Sequence, residues 1–327
     1  MKPTRIAEVL EQMLSTTWPC FLWGPPGVGK SSVVRQVAES RELRVIDIRA
    51  PLLDPTDLRG IPAVVDGRAV WAPPSFLPRA TDGDGLLFFD ELSAAPPLVQ
   101  ASLYQLTLDR RVGEYVLPDG WHIVAAGNRT SDASIAFRMP AALANRFVHL
   151  DFEVDYEDWR TWAIGADVHH LVTAFLALRR ELLLGDPGSS VAFASPRSWE
   201  MVSDVMKRFA TVDAAEDVLL GVVGEGPALE FISFVNNALR EEDLQRILAD
   251  PKGADLPTEL GDIYALVSYI TSLAPNPGAL KAAGLLLERI DPELAVLLVR
   301  DILRTVPAFV SNADCAAFLK KHGDLIL

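Results

Sequence analysis

The sequence contains very little cysteine. Cys20 and Cys315 are the only two cysteines among its 327 residues, and they lie far apart in the chain. Two isolated cysteines cannot build the disulfide framework of a small secreted protein or a cysteine-rich metal site. Cys20 falls within a short apolar run, where we expect it to be a small buried hydrophobic residue. This cysteine usage fits a reducing cytoplasm.

Long uncharged apolar runs are also missing. Half of the residues are hydrophobic, yet no run reaches the roughly 18 residues that a membrane-spanning helix needs. The first eight residues lack the apolar centre of a signal peptide. We therefore expect a cytoplasmic protein without a membrane span, with ample material for a core and room for two or three domains.

Basic residues are scarce in the second half of the chain. Residues 1–150 hold 15 Lys and Arg against 16 Asp and Glu, whereas residues 151–327 hold 15 against 28. Because nucleic-acid affinity comes largely from neutralised phosphates, this imbalance argues against broad non-specific nucleic-acid binding. It leaves open a small basic patch or a basic pore lining. The excess of acidic residues is also consistent with a role in solubility or with binding to a basic protein partner.

A phosphate-binding pattern is the strongest signal that the sequence does contain. Residues 24–31 read Gly-Pro-Pro-Gly-Val-Gly-Lys-Ser and fit G-x-x-x-x-G-K-[ST]. In this pattern backbone N–H groups bind phosphate oxygens, Lys30 lies near the β- and γ-phosphates, and Ser31 ligates Mg²⁺. The predicted nucleotide-binding residues are Gly24, Pro25, Pro26, Gly27, Val28, Gly29, Lys30, Ser31 and Ser32.

The surrounding sequence predicts the strand, loop and helix that this pattern requires. Residues 18–23 are typical of a buried parallel strand, and valines recur at helical spacing after Lys30. Further apolar runs predict strands at 44–48, 85–92, 121–126 and 148–152. From residue 156 the pattern is almost wholly helical, and one of the predicted helices covers 167–183. The sequence thus predicts an α/β fold, with a parallel sheet flanked by helices and then an all-helical region.

Composition and punctuation predict three segments. Residues 1–155 form a nucleotide-binding α/β domain, which carries a hairpin insert near 57–78 with Asp-Gly as its turn. Residues 156–250 form a helical lid domain, and residues 251–327 form a helical C-terminal extension. The second boundary rests on a stretch rich in proline, glycine and aspartate that begins at residue 250.

Two carboxylates, Asp90 and Glu91, directly follow the apolar strand Leu86–Phe89. Ligands bind at the carboxyl ends of the strands in open α/β sheets, and the phosphate loop opens at that edge. We expect Asp90 to hold the water shell of Mg²⁺ opposite Ser31, and Glu91 to accept a proton from an attacking water. A pair of solvated carboxylates at a strand end is the alternative.

Four further polar residues are candidates for the same chemistry. Asn128 ends the fourth strand and could orient the lytic water, although a turn-forming asparagine is the alternative. Arg146 precedes the fifth strand and could stabilise phosphoryl charge on a neighbouring subunit, or form a surface salt bridge. Arg129 is a second candidate in trans. Arg197 lies in the first turn of a predicted helix, where an anionic ligand would explain its charge.

In this order the motifs resemble those of an AAA+ ATPase. Residues 24–31 correspond to Walker A, residues 86–91 to Walker B, Asn128 to sensor 1, Arg146 to the arginine finger and Arg197 to sensor 2. The resemblance covers residues 1 to about 210. It implies that the nucleotide is ATP, that Mg²⁺ is its metal, and that these residues act in hydrolysis.

Several segments are similar to the MoxR branch of that family. They are residues 57–78, Gly127-Asn128-Arg129 and Asn145-Arg146-Phe147. This resemblance implies a homo-oligomeric ring, usually hexameric, with a chaperone-like role. It also implies a protein partner with a von Willebrand A domain that binds a metal ion. The chain after about residue 255 matches no family pattern that we could identify.

Other functions remain open at the level of sequence. A nucleic-acid motor or a restriction-type translocating subunit would need basic residues in a pore, for which Arg59, Arg68, Arg110 and Arg111 are the candidates. A nucleotide-gated binding module that hydrolyses little fits less well, because Glu91 and Arg146 are both present. A small-molecule kinase or GTPase fits least, since no Asn-Lys-x-Asp guanine signature occurs.

Overall fold

The computed structural model describes residues 1–132, 136–188 and 190–322. The chain divides into two compact units, Met1–Asp155 and Tyr156–Leu327. The predicted division into three segments is finer than these two units and stays a prediction. None of the helices in the described part of the chain has the length and apolar character needed to cross a bilayer.

The first unit contains a five-stranded parallel sheet with helices around it, which confirms the predicted fold class. Its strands are β1 (Cys20–Trp23), β2 (Arg44–Arg49), β3 (Ile61–Val65), β4 (Arg68–Ala72), β5 (Gly85–Asp90), β6 (Arg111–Val112), β7 (Tyr115–Val116), β8 (Trp121–Gly127) and β9 (Val148–Asp151). Its helices are α1 (Pro3–Met13), α2 (Lys30–Ser40), α3 (Pro97–Asp109) and α4 (Ala141–Ala144). The order of the parallel strands is β2-β5-β8-β1-β9.

Burial explains why β1 and β5 are apolar runs. Every residue of β5 is buried, and so are the first three residues of β1, so both faces of these strands meet other side chains. Phe21, Phe88 and Phe89 are fully buried, and each contributes about 1.5–3 kcal/mol by leaving water. Cys20 is buried as expected, and burial raises the pKa of its thiol to about 11.

A projecting hairpin of β3 and β4 interrupts the connection from β2 to β5. Asp66 and Gly67 form its turn with φ of 50° and 75°, and positive φ at both positions is the requirement of a type I′ turn. Ile61 and Val64 are 75% and 79% exposed. Leu58 is buried in the core and anchors the base of the hairpin. The insert therefore presents apolar side chains to solvent.

The parallel register brings the ends of the central strands to one edge of the sheet. Arg49 pairs with Asp90 across β2 and β5, and Trp23 pairs with Gly127 across β1 and β8. The residues that directly follow β1, β5 and β8 therefore emerge at the same edge, as predicted for parallel strands.

All the regular secondary structure in the described residues of the second unit is helical. Its helices are α5 (Tyr156–Gly165), α6 (His170–Leu178), α7 (Pro196–Met206), α8 (Glu216–Val223), α9 (Glu225–Asn237), α10 (Glu241–Ala249), α11 (Leu260–Ser272), α12 (Pro277–Leu286), α13 (Pro292–Thr305) and α14 (Ala313–His322). One long helix was expected at 167–183, but α6 begins later. His169 caps it, because its Nδ1 accepts a hydrogen bond from the Leu171 N–H at 3.2 Å. After α6 the chain continues as a 3₁₀ turn, Arg180–Leu183.

A buried ion pair joins α5 to α13 in this unit. The guanidinium of Arg160 donates to Oδ2 of Asp301 from Nε at 2.8 Å and from Nη2 at 2.6 Å, and the side chains are 1% and 0% exposed. Arg160 also donates to the Tyr156 hydroxyl and to the Thr173 carbonyl, both at 3.0 Å. Arg304 donates to the other Asp301 oxygen at 2.9 Å. These partners compensate the buried charges of Arg160 and Asp301, because a buried charge without a partner strongly destabilises the folded state.

We expect Asp301→Ala to lower the free energy of unfolding of this unit by about 3–5 kcal/mol, because Arg160 would then be a buried cation without its carboxylate. Urea unfolding followed by far-UV circular dichroism measures this change. The matched control is Asp204→Ala, which breaks an exposed pair with Arg208 and should cost less than about 1 kcal/mol. Equal unfolding midpoints for the two variants would contradict the expectation.

Candidate nucleotide-binding site

The loop of residues 24–29 connects β1 to α2 with the geometry that its glycines permit. Gly27 and Gly29 have φ of 78° and 103°, in a region that side chains with a Cβ rarely adopt. A Cβ added at Gly24 would lie 3.1 Å from Cβ of Phe152. Gly29 is the N-cap of α2 and has no side chain to cap it. The first N–H groups of α2 therefore face the loop, as an anion-binding helix end requires.

Lys30 is the first residue of α2, and it is 8% exposed. Its ammonium donates to the carbonyls of Gly24 at 2.6 Å and Pro25 at 2.8 Å, and to Oδ1 of Asn128 at 3.0 Å. The first two acceptors belong to the loop, and the third lies just after β8. One positive charge thus joins the phosphate loop to the end of the neighbouring strand.

Ser31 and Asp90 meet at the same edge. The Ser31 hydroxyl donates to Oδ2 of Asp90 at 2.8 Å. The same oxygen accepts from Nη1 of Arg49 at 2.5 Å, and Asp90 Oδ1 accepts from the Glu91 N–H at 2.9 Å. The side chain of Asp90 is only 7% exposed, whereas that of Arg49 is 44% exposed. Ser31 and Asp90 supply hydroxyl and carboxylate oxygens that could ligate a divalent ion.

Glu91 adopts an unusual backbone conformation next to this pair. Its φ of 57° lies in the left-handed region, which costs a residue other than glycine about 1–2 kcal/mol. The side chain is 55% exposed, and its Oε1 lies 3.7 Å from Nη1 of Arg49. Such strain persists only where surrounding contacts impose it, and it concentrates at functional sites. Glu91 is therefore accessible, and it shares a cation with Asp90.

Asn128 is held in place by contacts that the sequence did not indicate. Its backbone N–H donates to the Ser93 hydroxyl at 3.0 Å. A Cβ on the preceding residue, Gly127, would lie 2.5 Å from that hydroxyl and 2.9 Å from Phe21. Only glycine allows β8 to approach Ser93 this closely. Gly127 and Ser93 together fix Asn128 beside Lys30.

The structure groups Lys30, Ser31, Asp90, Glu91 and Asn128 at one edge of the sheet, and the predicted arginines have other contacts. Arg146 donates to the Ala142 carbonyl of the short helix that precedes it, and its guanidinium carbon lies 5.4 Å from the centre of the Tyr104 ring. Arg129 pairs with Asp151 on β9. Arg197 is exposed in the first turn of α7, in the second unit.

Arg49 is the charged residue that sequence reasoning missed. A signal for it exists, because it directly follows the strand predicted at 44–48. Two parallel strands of similar length that end together would place its side chain beside the carboxylates that follow β5. Which strands are neighbours is not visible in the sequence, so the pairing of Arg49 with Asp90 could not be derived.

Comparison with known proteins connects this edge to one family. Residues 19–147 match the family described as the AAA domain (dynein-related subfamily). The chain is 25% identical over 318 residues to midasin of Giardia intestinalis. That similarity covers 92% of this chain but 6% of midasin, so the chain spans only a small part of that relative's length.

Solved structures are more distant. NtrX of Brucella abortus is 14% identical with a TM-score of 0.42, and the match covers 98% of this chain and 67% of that one. The RuvB Holliday junction branch migration motor of Thermotoga maritima is 18% identical with a TM-score of 0.38, covering 86% and 87%. Scores at this level carry no weight in the assignment. The family match and the geometry at the sheet edge support an AAA+ P-loop ATPase domain in residues 19–147.

Proposed function

We propose that this protein is a MoxR-like AAA+ ATPase, which hydrolyses Mg²⁺-bound ATP in a ring and uses the energy to remodel a protein partner. The single observation that carries the proposal is the grouping of Lys30, Ser31, Asp90, Glu91 and Asn128 at one sheet edge. These side chains are the cation that binds phosphate, the metal ligands, the base and the amide that orients water. Together they are the part of phosphoanhydride hydrolysis that one chain contributes.

The donor set fits a nucleotide and its metal. Ser31 Oγ and Asp90 Oδ2 are 2.8 Å apart, close to the separation of about 3 Å between adjacent ligands of octahedral Mg²⁺. Within the described residues no group of three or more His, Cys, Asp or Glu could hold a metal by itself. A metal at Ser31 and Asp90 would therefore depend on phosphate oxygens, as is usual for Mg²⁺. Mg²⁺ supplies charge neutralisation of the β- and γ-phosphates when it is bound.

The residues of this chain then divide the work of hydrolysis. Lys30 and the backbone N–H groups of residues 27–32 bind the phosphates and stabilise the charge that spreads over them. Glu91 is accessible and accepts the proton of the attacking water, while the amide of Asn128 orients that water. Before a metal binds, Arg49 holds Asp90 and approaches Glu91, so it positions both carboxylates.

The ring and its shared site rest on the position of Arg146. This residue precedes β9, which is one of the two edge strands of the sheet. At an edge, a guanidinium can reach a neighbouring subunit, where it would stabilise the transferring phosphoryl group. Arg129 is the second candidate for this role. Arg197 would contact nucleotide from the helical region, as sensor 2 residues do in the family that the sequence resembles. A hexamer in the cytoplasm is part of the same proposal.

The choice of a protein partner over a nucleic acid rests on the basic residues. Of the candidates for a basic pore, Arg59 stacks over Trp71 at 5.2 Å. Arg110 donates to the Pro118 and Trp121 carbonyls at 2.8 and 2.7 Å. Both cations are thus engaged within the chain. The exposed apolar hairpin of β3 and β4 suits a protein surface better than phosphates, and a partner with a metal-binding von Willebrand A domain is the one that the resemblance implies.

We expect Arg49→Ala to lower the Mg²⁺ concentration needed for half-maximal binding of a fluorescent ADP by roughly fivefold, because Arg49 and the metal compete for the same Asp90 oxygen. The binding titration is repeated at a series of Mg²⁺ concentrations. Arg41→Ala, which removes a pair with Glu11 away from this oxygen, is the control and should leave the midpoint unchanged. A weaker requirement for Mg²⁺ in both variants would show a general charge effect instead.

Glu91→Gln should bind ATP within about twofold of the unaltered protein and hydrolyse it at least 100-fold more slowly, because only the water-activating base is lost. A fluorescent ATP analogue measures binding, and released phosphate measures turnover. Glu39→Gln, at an exposed position on α2, should be unchanged. Unaltered turnover in Glu91→Gln would remove Glu91 from the mechanism.

Because Glu91→Gln should retain ATP, affinity capture with this variant and ATP identifies the partner. A rate of ATP hydrolysis that DNA stimulates and salt reduces would favour the nucleic-acid alternative.

Arg146→Ala should bind ATP normally but turn it over at least 100-fold more slowly. Mixing it with Glu91→Gln tests whether the site is shared, because each variant supplies what the other lacks. In an equal mixture about one interface in four joins an intact Glu91 to an intact Arg146, so up to about a quarter of the normal rate should return. No recovery in mixtures that assemble would contradict a site shared between subunits.

A further inference from the structure

The short helix α4 lies just before the candidate finger. Backbone N–H groups that follow the helix donate to three of its four carbonyls, including that of Ala144, which accepts from Phe147 at 3.1 Å. Two side chains that follow the helix make further contacts at this end. Arg146 donates to the Ala142 carbonyl, and Nε2 of His149 lies 2.8 Å from the Ala144 carbonyl.

The other nitrogen of His149 reaches the strand of the phosphate loop. The indole N–H of Trp23 lies 2.8 Å from Nδ1 of His149. Because an indole can only donate, Nδ1 must accept, and the imidazole proton must therefore be on Nε2, where it is donated to Ala144. Trp23 is the last residue of β1, and Gly24 begins the phosphate loop directly after it. The imidazole thus connects the end of α4 to the start of that loop.

Ring packing fixes the imidazole in this orientation. Its plane lies 23° from that of Trp23, with the ring centres 6.0 Å apart. Phe21 and Phe147 pack against it with ring centres at 6.0 and 6.5 Å. Phe21 and His149 are also direct partners in the register of β1 and β9. Two hydrogen bonds and three ring contacts hold a side chain that otherwise lies at the surface of the edge strand.

Arg146 is held more loosely than His149. Apart from the Ala142 carbonyl, its guanidinium stacks on the Tyr104 ring, and its Nε is buried with no hydrogen-bond partner among the described residues. The guanidinium can therefore exchange its carbonyl for a phosphate oxygen, while His149 keeps the end of α4 in place.

From these contacts we propose that His149 is a positioning residue for the arginine finger. It fixes α4, the helix just before Arg146, because it contacts both the end of α4 and the last residue of β1. Arg146 is thereby held ready for the next subunit. This inference rests on the proposed function, because it assumes a site shared between subunits. His149 itself acts on Arg146 through Ala144 and does not touch the nucleotide.

The mixing experiment tests this role, because it separates the chain that donates the finger from the chain that donates the site. Glu91→Gln chains donate the finger and Arg146→Ala chains donate the site. We expect His149→Ala to reduce the recovered rate at least tenfold when it is added to the Glu91→Gln chain. Added to the Arg146→Ala chain, it should leave the recovered rate within about twofold, because Phe21 still stacks on Trp23 at 4.2 Å.

Conservative and matched variants complete the test. His149→Gln on the finger-donating chain should retain most of the recovered rate, since a glutamine amide can accept from Trp23 and donate to Ala144. The control is His122→Ala, at a position on β8. It removes another contact between an imidazole and a backbone carbonyl, because Nδ1 of His122 lies 3.1 Å from the carbonyl oxygen of Thr16. It should have no effect on either chain.

Each other outcome overturns a different statement. If the two parent variants assemble but recover no activity together, the shared site itself fails. If they recover activity and His149→Ala has no effect, or an equal effect on both chains, the positioning role of His149 fails. Loss of assembly in His149→Ala, measured by size-exclusion chromatography with nucleotide, would also overturn it, because the histidine would then hold the interface itself.

Discussion

The buried ammonium of Lys30 is the interaction on which the rest of this site depends. A cation that is 8% exposed needs an acceptor for each of its protons. The structure supplies the carbonyls of Gly24 and Pro25 and the amide oxygen of Asn128. The first two require the loop to curl back over α2, and the third requires β8 to end beside β1. The glycine at 127 follows from the same demand, because any side chain there would push Asn128 away from Ser93.

A second charge is balanced in the same place. Asp90 is even more buried than Lys30, and Arg49 donates to the same oxygen that accepts from Ser31. In the proposed function a metal would take this oxygen, and Arg49 would have to leave it. Since Arg49 also lies 3.7 Å from Glu91, its departure would change the surroundings of both carboxylates together. The charge of the metal and the freedom of Glu91 are therefore coupled through one arginine.

Local patterns let the sequence predict the fold class, the strands of the parallel sheet and the five grouped residues. Each pattern, such as the phosphate loop or the strand that ends in carboxylates, is a continuous stretch of the chain. Arg49, Ser93 and His149 were missed for one physical reason. Their partners lie 41, 35 and 126 positions away, and only the order and register of the strands bring them together. Nothing in a single sequence specifies that order. The late start of α6 was missed because His169 is an uncommon cap.

The form of the edge strand limits how one chain can meet another. An open edge can pair with a strand of a second molecule, but β9 has only four residues, and His149 and Asp151 on it are exposed. Such a short and polar edge offers few backbone hydrogen bonds. Side chains must therefore make most of the contacts with a neighbouring chain. Arg146 is offered beside this edge, and the phosphate loop follows the adjacent strand, β1. In the proposed function each chain would thus present two unlike features, a finger and a site. A head-to-tail ring needs two such unlike surfaces, whereas a two-fold dimer would use one surface twice.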